Sequence, residues 1–427
     1  MTRLPSGLGA APAGSHPSTP RPAETSARPG RFLPPVPDGE VGAKVLAAAW
    51  AGDPAIVVAS PPGAGKTGLI TLLAAHLGAR AKLRVAVAVQ TNPQALDVTN
   101  RIAKATNACP VTLLTRSGAR RPRGLAPDVE HTSAPKGLSD GVVVATAARW
   151  EWISGWNADV LLVDEAWQMT WATLGALASL APQFVLVGDP GQIAPVVAAD
   201  TTRWVAHPAG PHRPAPDALR AMYADAVSSF ALPVTRRLGE TTTAVVSRFY
   251  EFGFRSVRGP SVVSVDGTPL PELVVQTVRS IGGPDDGAVC EEAASLARRL
   301  VSHGVVTDGD GSRPLGERDV AVVCAHVAQA VAVQSRLADL RGVAVDTAER
   351  HQGLEYQAVI AVDPLVGKAV LGEFDLDAGR LCVMLSRHRS HLTFVTRPDV
   401  ARVLDATEGV AARRQRAVRA ALAEWSQ

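Results

Sequence analysis

The chain has 427 residues, long enough for two or three domains that each bury a core, and its formal net charge of +3 permits binding to a polyanion without requiring it. Cys109, Cys290, Cys324 and Cys382 are isolated from one another, which argues against a disulfide framework or a C-x-x-C zinc site and fits a reducing cytoplasm. No apolar stretch is long and charge-free enough to span a bilayer, so no membrane association is expected.

Residues 1 to about 40 are Pro, Ala, Ser, Gly and Arg with almost no large apolar side chains, and read as a disordered tail. Arg3, Arg21, Arg28 and Arg31 lie there without the apolar core of a secretory signal, and the prolines oppose a transit-type amphipathic helix. From residue 41 short Val/Ile/Leu runs alternate with helical segments, the pattern of an α/β fold with parallel sheets covered on both faces. In a first set, strands are predicted at 55–60, 84–90, 111–115, 142–146, 160–163 and 184–187. In a second set they are predicted at 262–265, 320–323, 343–346, 358–362 and 392–395, with helices over 287–303 and 326–340. The cut falls near residue 231, dividing the chain into the tail (1–40), a first domain (41–231) and a second domain with a C-terminal helix (232–427).

The first strand ends in Ser60-Pro61-Pro62-Gly63-Ala64-Gly65-Lys66-Thr67, a phosphate-binding loop. Pro62, Gly63, Ala64 and Gly65 form the turn whose backbone N–H groups converge on phosphate oxygens at a helix N-terminus. Lys66 reaches the β/γ-phosphates and Thr67 holds Mg²⁺, so ATP and Mg²⁺ are the expected ligands. Ser60 occupies the position where the usual pattern has its first glycine.

The strand at 160–163 runs into Asp164 and Glu165, the first placed to position the metal and the second to polarise the attacking water. The strand at 184–187 ends in Gly188-Asp189-Pro190-Gly191-Gln192, which brings Asp189 and Gln192 beside the γ-phosphate. Trp150, Trp152, Trp156, Trp167 and Trp171 crowd one segment; core packing is the favoured reading and base stacking the alternative. The loop Arg116–Arg123 is either a strand contact or a solvated loop, and Arg413, Arg414, Arg416 and Arg419 are read as a solvated face of the final helix.

In their order and spacing these motifs resemble superfamily 1 helicases, in the branch with D-E-A/S-x-Q and G-D-P-x-Q-L-x-P, over nearly everything from residue 41 to about 397. The resemblance implies two RecA-like domains with ATP in the cleft between them and single-stranded nucleic acid across their tops, DNA being favoured over RNA. Gln192 takes the place of the γ-phosphate sensor. Within Val234-Thr-Arg236-Arg237-Leu238, Arg237 best matches the γ-phosphate arginine, with Arg236 as the alternative. Gln352-Gly353-Leu-Glu355 resembles the section that lies at the nucleotide, and Thr347 approaches nucleic-acid phosphate. Ser386-Arg387-His388 resembles the motif whose arginine finger is here Arg387. Thr91, Asn92 and Thr146 are the first-domain counterparts of Thr347, although a helix N-cap accounts equally well for Thr91 or Thr146.

The chain departs from that family in two ways. Its first glutamine is Gln90, so the adenine-reading glutamine expected before the phosphate loop is missing, and the accessory insertions that help split duplexes are short or absent. The expected activity is an ATP-dependent helicase or translocase. A nucleic-acid-stimulated ATPase that remodels complexes without unwinding is the first alternative, and an ATP-switched binding module the second. The sequence leaves any protein partner open.

Overall fold

The computed structural model describes residues 39–425, apart from 136 and 139. The predicted tail lies outside the described residues except for its last two, of which Glu40 begins a helix (Glu40–Ala51).

Eight parallel strands form the first sheet: β1 (Ala55–Ala59), β2 (Val85–Val89), β3 (Val111–Leu114), β4 (Glu130–Thr132), β5 (Val142–Thr146), β6 (Val160–Asp164), β7 (Gln183–Gly188) and β8 (Val227–Ala231). They are ordered β4-β3-β5-β2-β6-β7-β1-β8. The central strands are continuous apolar runs because both faces are covered. Ile56 and Val58 join one core with Leu73 and Leu77 of the helix Lys66–Ala79, whereas Val57 joins the opposite core with Trp150, Trp156 and Trp167. Since every strand is parallel, all C-terminal ends lie along one edge, where open α/β sheets bind ligands. Strands β4 and β8 were not predicted. They are the two edges of the sheet, and their sequences, Glu-His-Thr and Val-Ser-Ser-Phe-Ala, lack the apolar run of a covered strand.

The second sheet has five parallel strands, β9 (Leu273–Thr277), β10 (Val320–Cys324), β11 (Ala344–Thr347), β12 (Tyr356–Val362) and β13 (His388–Thr396), ordered β9-β13-β12-β10-β11. The segment predicted as its first strand, 262–265, belongs elsewhere. Val262–Val265 pairs antiparallel within a separate four-stranded sheet. The cause is local: Asp266 (φ 50°) and Gly267 (φ 78°) form a two-residue Asp-Gly reversal that pairs Val265 with Thr268. Leu273–Thr277 takes the edge of the parallel sheet instead.

In the final helix (Val410–Ala423) Arg413 and Arg414 are exposed as expected, whereas Arg416 and Arg419 correct the prediction. Arg419 donates to Asp363, whose carboxylate is fully buried, and Arg416 donates to the carbonyls of Leu404 and Thr407. Arg414 donates to Phe249 O. A buried carboxylate needs a partner, so Arg419, with Arg416 on the carbonyls before it, docks the helix. No helix among the described residues is long and apolar enough to cross a membrane.

Candidate active site

The phosphate loop follows β1 and caps the helix Lys66–Ala79. Gly63 (φ 71°) and Gly65 (φ 93°) adopt left-handed backbone that disfavours any other residue. At Gly63 there is a second reason: an added Cβ would sit 2.3 Å from the Cβ of Arg237. Ser60 replaces the usual glycine without strain, because its N–H and hydroxyl both donate to Gly188 O, at 2.9 and 3.0 Å, tying the loop to the end of β7. The loop's carbonyls are held by the segment that leaves the first sheet. Thr235 Oγ1 donates to Pro62 O (2.6 Å), Arg236 N to Gly63 O (3.0 Å) and Arg236 Nη1 to Ala64 O (3.2 Å). With carbonyls turned that way, the N–H groups of the helix's first turn are left for an anion.

Thr67 Oγ1 donates to Asp164 Oδ2 at 3.1 Å, and Lys66 Nζ lies 3.5 Å from Glu165 Oε1. Burial, reinforced by neighbouring Glu165, raises the Asp164 pKa to about 6 against the pull of Lys66 and Thr67. Glu165 itself sits at φ 55°, ψ 45°, a left-handed conformation costing a non-glycine residue about 1 kcal/mol or more. Its carbonyl accepts a long bond from Gln90 Nε2 (3.5 Å). Asp189 is buried and accepts from Gly191 N, Gln192 Nε2 and Tyr250 Oη, at 2.9, 2.7 and 2.7 Å; burial raises its pKa. An ammonium, a hydroxyl beside a carboxylate and a second carboxylate are an oxygen-rich set suited to phosphates with Mg²⁺, and the glycine cradle leaves room for them. The residues fit MgATP.

The second domain closes the other side. Gln352 Nε2 donates to Gln192 Oε1 (3.3 Å), and an added Cβ at Gly379 would lie 2.6 Å from Gln192 O, so the helix Ala378–Leu385 rests on this turn. Gly353 (φ 83°) turns the chain towards Glu355. Arg237 pairs with Glu355 (2.8 Å) and donates to Ser386 O (3.2 Å); Arg389 holds the other Glu355 oxygen. Against the upward push of burial, these arginines hold the Glu355 carboxyl below its ordinary range. Arg387 differs. It is 1% exposed, donates to Leu354 O (3.4 Å) and Ser386 Oγ (3.0 Å), and has no carboxylate within ion-pair distance among the described residues. Its Nε is unpartnered. Burial, then the charge of Arg237, depresses its pKa to about 10, while Asp189 and Glu165 push the other way.

Lys66, Thr67, Asp164, Glu165, Gln192, Gln352, Arg237, Glu355 and Arg387 are thus linked, with Asp189, by direct contact or by charge. Arg236 is the arginine on the phosphate loop itself, while Arg237 is engaged by Glu355. Sequence reasoning missed Thr235, Gln90 and the role of Tyr250. Thr235 stood beside the quoted arginine pair, but nothing in its spacing signals a bond to the loop 173 residues earlier.

The four nucleic-acid candidates are less connected. Thr91 caps the helix Asn92–Ala105 in a capping box with Gln94, and Thr146 caps the next helix through Arg149 N (3.2 Å). Asn92 and Thr146 line one groove. Thr347 ends β11 in the second domain, and no hydrogen bond among the described residues joins it to that groove.

Residues 43–215 match the AAA domain family. No curated protein matches the chain. Among solved structures, it is similar to a crystal structure of Arterivirus nonstructural protein 10 (helicase), with 16% identity, a TM-score of 0.45 and coverage of 83% of this chain and 61% of that one. A structure of PRRSV helicase gives 16% identity, TM-score 0.44 and coverage of 85% and 56%. A complex of the Arterivirus protein with DNA gives 16%, 0.44, and 85% and 65%. The chain therefore spans about three-fifths of the length of these structures.

Proposed function

We propose that this helicase-like P-loop NTPase hydrolyses ATP between its two RecA-like domains, divided near residue 231, and uses the cycle to move along single-stranded nucleic acid. The observation that carries the reading is Arg387, a buried guanidinium on the second domain with no carboxylate at ion-pair distance among the described residues, within electrostatic reach of Asp189 and Glu165 on the first. An unpaired buried charge is costly to keep unless an anion arrives to meet it.

In this mechanism the loop N–H groups and Lys66 bind the phosphates, and Thr67 with Asp164 would hold the metal. Bound Mg²⁺ supplies neutralisation of phosphate charge. Glu165, held by its strained turn, orients the water and accepts its proton. Gln192 senses whether the γ-position is filled and, being bonded to Gln352, passes the result to the second domain. Arg387 stabilises charge on the γ-phosphate only when the domains are closed, so hydrolysis becomes domain movement. The stitching of Thr235 and Arg236 to the phosphate loop gives the same movement a direct handle.

The test is steady-state ATPase activity with and without single-stranded DNA and RNA of matched length. Turnover stimulated by the strand is expected, with DNA the stronger activator. Tight nucleotide binding without turnover would instead identify an ATP-switched binding module. Stimulated turnover without strand displacement would identify a remodelling translocase, a reading favoured by the short Arg116–Arg123 loop where the resembling family inserts a domain.

A further inference from the structure

The tryptophan-rich segment after β5 is not uniform. Trp150 is buried, donates to Val87 O (3.0 Å) and stacks on Trp156 at 5.5 Å; Trp167 is buried and donates to Asp217 (3.0 Å). Trp152, between them in the chain, is 79% exposed. Its ring borders a groove of about 380 Å³ lined also by Asn92, Thr115, Arg116, Arg120 and Thr146. This groove lies where β3 and β5 end, on the edge of the sheet that also carries the phosphate loop.

The groove's frame is fixed from beneath. Arg149 Nε donates to Thr115 O and its Nη2 to Ser133 O, both at 2.9 Å, so the turn after β5 is tied to the turn after β3. Arg149 is therefore structural. Arg116 and Arg120 are exposed and enter no ion pair among the described residues. Glu151 is the nearest acid in the chain to Trp152, and Asp128 lies further along the loop. An exposed indole beside two uncommitted guanidiniums, over a groove that mixes the aliphatic Leu113, Leu114 and Pro122 with Asn92, Thr115 and Thr146, suits a flexible polyanion whose units carry flat apolar faces.

We propose that Trp152 is a stacking platform for one base of a single strand, with Arg116 and Arg120 gripping the flanking phosphates. The proposal rests on the single-strand reading above and adds its mode: binding here is through a base face as well as the backbone. Trp152 acts without regard to sequence, since every base has a π-face.

The experiment measures binding of a labelled single-stranded oligonucleotide, and of the same oligonucleotide with abasic positions, to the full chain by anisotropy. Trp152→Ala is expected to weaken binding to the intact strand about tenfold, the scale of one lost stack, and Trp152→Phe to restore most of it. On the abasic strand Trp152→Ala should cost little, because the base it would meet is gone. Arg116→Gln with Arg120→Gln should weaken both strands alike and flatten the salt dependence. Melting temperature controls for folding; an exposed ring should leave it unmoved. Equal losses on the two strands would overturn stacking. Wild-type binding that Trp152→Ala leaves intact would overturn the platform but not the single-strand reading, whereas no wild-type binding at any salt would overturn both.

Discussion

On the first-domain side of the cleft each charged group has company: Lys66 lies by Glu165, Asp164 accepts from Thr67, and Asp189 accepts three hydrogen bonds. On the second-domain side Arg237 is paired with Glu355, but Arg387 is buried beside another guanidinium with no acid within ion-pair distance among the described residues. On the proposed function, the difference separates a preassembled half that would bind from a half whose unfavourable charge would be relieved by the γ-phosphate. Binding and triggering should therefore fail separately when each side is damaged.

The largest break is expected on the second side. Arg387→Ala should lower the single-turnover hydrolysis rate about 10³-fold, the scale of a finger arginine, with ADP affinity by calorimetry almost unchanged. The nucleotide-free Arg387→Met variant should melt higher than wild type, since an apolar side chain removes an uncompensated buried charge. Equal losses in ADP and ATP affinity, or a lower melting temperature, would make Arg387 a structural residue.

On the first side, Glu165→Gln should keep ATP binding and cost roughly 10²-fold in turnover, the usual scale of a positioned base. Lys66→Ala should weaken binding and turnover together. If Glu165→Gln also lost ATP affinity, the separation of the two walls would be wrong, because that wall would be binding through the group assigned to the chemistry.

The two sides were not equally legible in the sequence. The phosphate loop, Asp164-Glu165 and the Asp189–Gln192 turn announce themselves, since each is a contiguous stretch at the end of a buried apolar strand. The second side is assembled from Arg237, Gln352, Glu355 and Arg387, spread over 150 residues, and only resemblance pointed to them. What no pattern could give was pairing: that Arg237 would be taken by Glu355 while Arg236 reached the loop, or that Thr235 would bond Pro62. Edge strands β4 and β8 escaped because half-exposed strands need no apolar run. The misplaced strand at 262–265 had a readable signal, Asp266-Gly267, which marks a hairpin rather than a crossover. Tryptophan clustering indicated a core and was right for Trp150, Trp156 and Trp167, but helical and turn geometry turned Trp152 outward.

A smaller effect sharpens the comparison at the boundary of the walls. A cleft of about 420 Å³ beside Gly63 is lined by Arg236, Arg237, Arg258, Glu355, Gln357 and Arg389, with no aromatic ring among its lining residues. On the proposed function the first wall would hold the phosphates, this cleft offers no aromatic ring to a base, and the chain has no glutamine before Gln90. GTP or CTP should therefore support hydrolysis within about tenfold of ATP, a difference of ~1.4 kcal/mol, when kcat/KM is compared for the four triphosphates. Strong ATP selectivity would mean that the base is read from this cleft by polar groups.

The smallest expected effect is a difference in how the two domains respond to acid. In the nucleotide-free protein the first domain buries carboxyls whose pKa is raised, Asp164 to about 6, with Asp189 moved in the same direction. Such a group binds its proton more tightly when folded, so its stabilising contribution is complete below the ordinary carboxyl pKa and is lost as pH rises through about 6. The second domain buries neutral imidazoles instead. Burial lowers His351 and His391 to about 4, and His391 spends both ring nitrogens on Pro271 O (2.7 Å) and Thr393 Oγ1 (2.8 Å). Those histidines charge more readily when unfolded, so their contribution is complete above about 6.5 and disappears as pH falls towards 4. Between pH 6.5 and 4.5 the two domains should therefore drift apart in stability, the second losing and the first gaining, by a few degrees in melting temperature. Hydrogen exchange of the nucleotide-free chain at pH 5 and pH 7, resolved by segment and corrected for the intrinsic rate, should show β12 and β13 losing protection relative to β6 and β7. His391→Gln, which retains donor and acceptor without titrating, should shrink that gap; an unchanged gap would assign the acid response to other groups.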